Sequence, residues 1–215
     1  MSNDFYFIKK KTISTKSPDL VAYYPFRADS SDYSIYAAPT GTSVNVTYDI
    51  DDGAYFNGTS SLITTNSNVP TGTSAKSISL WMKSTAYQRG WMFHGGSNDA
   101  NSGWTMFTAG SVDKNLIFAG IAADFVITGA GYVDNWMHVV ITYDGGTDAK
   151  SYIDKVAKGS GTFSYRTAAS PIQFGNRKGA YSEYYKGYLR DVAIYNRVLT
   201  TDEIASLYDG TIVGY

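Results

Sequence analysis

The chain predicts an all-β fold: short antiparallel strands in a sandwich or barrel, with one short helix near the C-terminus. Three observations carry this prediction. Short apolar or alternating runs recur along the 215 residues, separated by breaks such as Asn57-Gly58, Gly95-Gly96-Ser97-Asn98, Gly129-Ala130-Gly131 and Gly145-Gly146, a rhythm typical of sandwiches and barrels. Aromatic side chains are abundant, with 19 Tyr, 10 Phe and 4 Trp, while charged residues make up only 17%. That balance, against about 25% charged in average globular chains, is the opposite of a disordered composition. Only one segment carries clear helix-terminus chemistry, and it lies beyond residue 199.

The elements follow in chain order. Residues 1–19 stand apart: Asp4–Ile8 (DFYFI) is strand-capable, and Lys9, Lys10, Lys11 and Lys16 give the segment a charge of +2 against −3 for the remainder. It reads either as a terminal tail or as an arm that pairs with the sheet edge of a neighbouring subunit or other protein partner. Residues 20–215 form the globular body, without an internal linker or repeat. Strands are expected at Leu20–Phe26, Ser77–Lys83, Trp91–His94, Trp104–Thr108, Leu116–Ala119, Asp124–Thr128, Trp136–Tyr143 and Ser151–Asp154. Ile78, Leu80 and Met82 share one face of the second of these. Trp81, Trp91, Trp104 and Trp136 all fall within such runs and read as core. Thr200-Thr201-Asp202-Glu203 matches a capping box, Ile204 and Leu207 share the face toward the core, and Gly210 supplies the stop.

Composition removes several functions. A net charge of −1 provides no field for nucleic acid or an anionic membrane. Zero Cys excludes disulfides, thiolate metal sites and a Cys nucleophile. No apolar run approaches the ~20 residues of a membrane span, so no membrane insertion is expected. Met1–Lys11 lacks the apolar centre of a secretory signal.

Five stretches, in order, resemble the laminin G-like and pentraxin-like domains of the concanavalin A-type lectin/glucanase superfamily. They are Leu20–Phe26 with the following Asp32-Tyr33-Ser34, Ala54–Thr59 (AYFNGT), Ile78–Lys83 (ISLWMK), Trp136–Asp144 (WMHVVITYD) and Tyr185–Thr200 (YKGYLRDVAIYNRVLT) with Glu203-Ile204. The last is the most specific. The resemblance spans residues 20–209 and implies a concanavalin A-like jelly-roll sandwich of two antiparallel sheets. It also implies that Ala54–Thr59 forms a hairpin, in line with the tight-turn chemistry of Asn57-Gly58. Such domains serve as lectins, glycosidases, adhesion modules and viral coat parts, so the site residues must decide among them.

Catalysis is not indicated. Glucanases of this class carry Glu-x-Asp-x-Glu on one strand, to supply the paired carboxylates of glycoside hydrolysis. This chain has two Glu in all; Glu203 is explained by helix capping and Glu183 lies in a Tyr-rich loop. The two histidines accompany no Gly-x-Ser-x-Gly elbow. His138 belongs to an alternating strand and reads as structural, whereas His94, before Gly95-Gly96, is placed at a rim where it contacts a ligand. No cofactor is indicated except calcium, which the pentraxin-like relatives hold in two loops. The residue types for it here are Asn98 and Asp99. Arg177 and Lys178 stand where the second loop should be acidic, and they argue against a divalent ion. Asp29 and Asp32 read as solvated turns.

The same loops can serve a sugar, whose C–H face sits on aromatic rings and whose hydroxyls need paired donors and acceptors. The candidate ligand-binding residues are Asn98, Asp99, Asn101, Asn176, Arg177, Tyr181 and Tyr184, with Arg177 and Lys178 suited to an acidic glycan. Tyr185 completes the tyrosine cluster; loop padding explains these residues equally. Two functions follow. One is a non-catalytic recognition module for a carbohydrate or cell-surface glycan. The other is a coat, fibre or decoration protein anchored by residues 1–19. Both place the protein outside the cell or on a virion surface.

Overall fold

The computed structural model describes residues 17–110, 115–122, 124–127, 131–179 and 181–210. The strands are β1 Leu20–Tyr24, β2 Thr42–Val44, β3 Thr47–Asp49, β4 Gly53–Asn57, β5 Leu62–Asn68, β6 Lys76–Ser84, β7 Arg89–Gly96 and β8 Gly103–Ala109. They continue as β9 Leu116–Ala119, β10 Asp124–Ile127, β11 Met137–Tyr143, β12 Asp148–Ile153, β13 Val156–Thr162, β14 Pro171–Phe174 and β15 Lys186–Tyr195, before helix α1 Thr201–Asp209. Among the described residues they form two antiparallel sheets. The first runs β13-β12-β11-β6-β15-β4-β3, with β1 also on β15; the second runs β10-β9-β8-β7-β14-β5-β2. This is the jelly-roll sandwich expected from the motifs.

The core lies between the sheets. Ile78, Leu80 and Met82 of β6 point into it, fully buried, as their alternation requires. Tyr24, Phe26 and Phe174 meet at ring distances of 5.2 to 5.6 Å, and Trp104, Phe118, Tyr143 and Tyr165 interlock at 4.7 to 5.8 Å. Tyr185 is also core rather than surface, with its hydroxyl donating to the Tyr188 carbonyl at 3.3 Å.

A second apolar layer covers the outer face of the first sheet. Leu20, Tyr23, Val140, Ala193 and Tyr195 of that face pack under Ile204 and Leu207 of α1. A helix of nine residues cannot persist alone; here it is held by packing and by its cap. The Thr200 hydroxyl accepts from the Glu203 N–H, the Glu203 carboxylate accepts from the Thr200 N–H, and Gly210 closes the end in a left-handed conformation. Arg197 grips Glu203 with two bonds of 2.7 and 2.8 Å and reaches Asp19 at 3.0 Å. Among the described residues no helix is long and apolar enough to cross a membrane.

Four expectations are corrected. Asn57-Gly58 is a corner, not a hairpin: β4 belongs to the first sheet and β5 to the second. The Asn57 side-chain oxygen turns the chain there by accepting from the N–H groups of Thr59, Ser60 and Ser61. Trp136 precedes β11 instead of lying in it, and neither Trp136 nor Trp81 is core. Both are half-buried on the outer face of the first sheet, with Arg190 over Trp136 at 4.1 Å and Trp81 stacked on Tyr208 at 5.6 Å. Asp32 is buried, not solvated, and accepts from the Tyr23 and Ser34 N–H groups and the Ser67 hydroxyl. The proposed arm lies, up to residue 16, outside the described residues.

Candidate functional site

The outer face of the second sheet carries its own apolar cluster, and no helix among the described residues covers it. Trp91 of β7, Phe107 of β8 and Ala119 of β9 form it, with Ile117 and Ile121 at its edge. Three large residues in succession, Trp91-Met92-Phe93, cannot alternate cleanly. A register shift between Trp91 and Phe93 resolves the conflict: Trp91 pairs with Phe107, and Phe93 pairs with Met106. Met92 and Phe93 both enter the inner core, while Trp91 turns outward. Its indole stacks on Phe107 at 4.5 Å and on His94 at 5.4 Å.

Polar side chains ring this floor, and the backbone brings each one there. Residues 183–185 run beside β7 because Gly90 has no side chain. A Cβ at that position would lie 2.6 Å from Tyr185 Cα and 2.8 Å from the Tyr184 carbonyl oxygen. The Trp91 N–H donates to the Glu183 carbonyl at 3.1 Å. The Glu183 carboxylate then accepts from the Trp91 indole N–H at 2.6 Å and from Arg89 Nε at 2.7 Å, and lies 4.0 Å from the Arg177 guanidinium. After β14 the chain turns at Gly175, whose φ of +94° suits glycine alone in a space closed by the Ser61 carbonyl. That turn carries the Arg177 guanidinium over Trp91 at 5.1 Å and beneath Tyr181 at 4.2 Å. Asp124 supplies the opposite wall. Asp124 is exposed at the rim; partial desolvation there pushes its carboxyl above the ordinary range, while Arg89 and Arg177 oppose the shift. Arg89, Trp91, Phe107, Ile121, Asp124 and Arg177 line an open cleft of about 170 Å³.

The two loops singled out in the sequence meet at this rim. The Asn98 amide donates to the Lys178 carbonyl at 2.8 Å, and its oxygen accepts from Arg177 Nε at 3.0 Å. Tyr181 is exposed over Arg177, and Tyr184 is half-buried beside Trp91. Asp99 and Asn101 are exposed; the Asp99 carboxylate accepts from the Ser97 hydroxyl, and the Asn101 backbone ties to Ile121 and Arg166. Asn176 is buried, with its amide donating to the Tyr181 carbonyl and its oxygen accepting from the Arg177 N–H. It therefore shapes the loop that presents Arg177.

His94 is not at a rim. It is fully buried, Nδ1 accepts from the Lys178 N–H at 3.3 Å, and burial drives the imidazole down to about 3. The Lys178 ammonium turns inward to the Gly96 carbonyl at 2.8 Å and the Ser170 hydroxyl at 2.7 Å, and burial lowers it to about 8.

Glu183 belongs to the polar loop singled out in the sequence, whereas Trp91, Arg89, Phe107 and Asp124 were not among its candidate ligand-binding residues. The only sequence signal for them was the run Trp91-Met92-Phe93, which a strict two-residue period cannot bury on one face.

The donor set does not fit calcium. The Asn98 oxygen faces a guanidinium, Lys178 and Arg177 crowd the loop with positive charge, and a hard cation needs several oxygens. Among the described residues no three His, Asp or Glu side chains gather as a metal site.

Fold and rim together define a two-sheet jelly-roll sandwich whose outer aromatic pair, Trp91 and Phe107, lies beneath the Arg177 and Arg89 guanidiniums. A family model described as the concanavalin A-like lectin/glucanases superfamily matches residues 56–205, and the chain belongs to that family. Comparison with curated protein sequences finds no match. Among solved structures, the chain is similar to domain 4 of AbnA, a GH43 extracellular arabinanase from Geobacillus stearothermophilus, in complex with arabinotriose. The identity is 24% and the TM-score 0.71, over 90% of this chain and 100% of that one. It is also similar to the botulinum neurotoxin serotype D ligand binding domain in complex with N-acetylneuraminic acid, at 16% identity and TM-score 0.69, over 89% and 51% of the two chains. The serotype G binding domain aligns at 20% identity and TM-score 0.69, over 88% and 50%. The chain thus spans about half the length of these toxin domains. At these identities the likeness shows the fold.

Proposed function

We propose that this domain is a non-catalytic carbohydrate-binding module whose ligand docks on the outer face of the second sheet, over Trp91 and between the loops at 97–102 and 175–183. One observation carries the reading: a cleft floored by Trp91 on Phe107, with the Arg177 and Arg89 guanidiniums lying over those rings and Asp124 in the wall. That is the chemistry a sugar ring requires. The ligands in two of the similar structures, arabinotriose and N-acetylneuraminic acid, support it. Asn98, Asp99, Asn101, Tyr181 and Tyr184 then form the rim, and Asn176 supports it from below.

The non-catalytic part rests on the carboxylates. Glycoside hydrolysis uses two, yet both oxygens of Glu183 are committed to Trp91 and Arg89, which leaves Asp124 alone in the wall. That one of the similar structures belongs to an extracellular arabinanase supports a role outside the cell.

The test is calorimetric titration of the folded protein with a panel of oligosaccharides, repeated on Trp91→Ala. Binding that the variant loses supports the reading. No heat from any sugar up to millimolar concentration sinks it, as does release of reducing ends from a bound oligosaccharide.

A further inference from the structure

Resting on that reading, we infer that the pocket over Trp91 selects an uncharged sugar residue and discriminates against acidic ones. Two arginines in its wall suggest the reverse at first sight, since guanidinium forks are the usual partners of carboxylates and sulfates. Here each is already opposed. Glu183 holds Arg89 at 2.7 Å and lies 4.0 Å from Arg177. It cannot turn aside, because its second oxygen holds the Trp91 indole N–H at 2.6 Å. Asp124 lines the same cleft as both guanidiniums and adds a second carboxylate there. Lys178, the remaining cation of the rim, directs its ammonium away to Gly96 and Ser170. Among the described residues two positive and two negative groups therefore line the cleft, and an incoming carboxylate meets two others there. Like charges brought together this way are a common means of excluding the wrong ligand.

Neutral hydroxyls gain from the same arrangement. The Asp124 carboxylate accepts, the guanidinium N–H groups donate, and hydrogen bonds to charged partners are roughly twice as strong as neutral ones.

The experiment titrates the full chain with methyl glycosides of arabinose, xylose, glucose and galactose, and with methyl glucuronide, methyl galacturonide and N-acetylneuraminic acid, at low and high salt. The expected result is binding of at least one neutral glycoside with an affinity indifferent to salt, and acidic sugars weaker by about tenfold or more. Glu183→Gln keeps an acceptor for the indole but leaves the pocket with one net positive charge. Asp124→Asn does the same from the wall without touching Trp91. Each is expected to gain affinity for acidic sugars that high salt removes. Tighter, salt-sensitive binding of an acidic sugar by the wild type overturns the charge inference and leaves the glycan reading intact. No binding of any sugar overturns both.

Discussion

Lys76 gives the sharpest test of how the sandwich is held together. Its side chain is 1% exposed and enters the core at the start of β6. Its ammonium donates to the Pro70 carbonyl at 2.8 Å, the Gly72 carbonyl at 3.3 Å and the Thr167 hydroxyl at 3.0 Å, above the rings of Trp104 and Tyr143. No carboxylate accompanies it among its bonded partners, and burial pushes it from 10.5 down to about 8. The unfolded chain thus binds a proton there more readily than the folded one, so stability must rise with pH across that window. Linkage with these two values gives a penalty on the order of 3 kcal/mol near pH 7, falling by about 2 kcal/mol by roughly pH 9.5. For a chain of this size that is an upward shift in Tm of about 4–8 °C.

Lys76→Met removes the titrating group. It leaves the Pro70 carbonyl without its donor, at about 1–3 kcal/mol, whereas the Gly72 carbonyl keeps the Thr167 N–H at 3.1 Å. The variant is therefore expected within about 2 kcal/mol of the wild type at neutral pH, and without the rise above it. Urea or thermal unfolding of both proteins at several pH values measures the difference. The core tyrosines, such as Tyr24 at about 12 and Tyr185 above that, act in the opposite sense once the unfolded chain begins to lose phenol protons near pH 10. Lys178 and the tyrosines are common to both proteins and cancel in the comparison. Parallel stability curves for the two proteins between about pH 7 and about pH 9.5 would refute the reasoning.

Three further outcomes are expected. Gly90→Ala drives a methyl into Tyr185 Cα and the Tyr184 carbonyl, so it lowers Tm and weakens sugar binding together; calorimetry showing one without the other separates the backbone contact from the site. Thr200→Ala removes the N-cap of α1 and costs about 1 kcal/mol in urea unfolding, without affecting titrations with sugar, because the helix lies on the other sheet. Neutral-sugar affinity falls on acidification at a pH above the ordinary Asp range of about 4, because Asp124, whose carboxyl partial desolvation has raised, loses its acceptor character as it protonates; titrations between about pH 7 and about pH 4 follow it, and Asp124→Asn abolishes the dependence.

The sequence made the sandwich legible wherever one rule acted alone. Leu116–Ala119 matches β9 at both ends, and the Thr200–Glu203 box with Gly210 matches the observed cap residue for residue. Those signals are local, and nothing distant competes with them. The corner at Asn57 was hidden because Asn-Gly chemistry specifies a turn without saying whether the next strand stays in the same sheet. The loops of the candidate site were legible by composition, but the direction of each side chain was not. Asn176 and Arg177 are adjacent, yet one is buried in loop hydrogen bonds and the other lies on an indole. His94 was hidden by the register shift in β7, which shifts its phase relative to Trp91 and puts both rings on one face.

That shift also explains why the candidate site's indole stands on the outer face of the second sheet. Each sheet carries an outer apolar cluster that water would otherwise meet. On the first, Ile204 and Leu207 close it with a helix whose cap is secured by Arg197, Glu203 and Asp19. On the second, Trp91 and Phe107 are each kept to 2% exposure beneath the Arg177 and Arg89 guanidiniums, with Glu183 and His94 packed beside the indole. A cation over an aromatic face contributes about 0.5–2 kcal/mol, whereas each large apolar side chain docked by a helix contributes about 1.5–3 kcal/mol. A helix seated by two such residues is a permanent cover. Two arginine side chains, held at the rim by Asn98 and Glu183, are a polar cover that a ligand of matching polarity can displace or join.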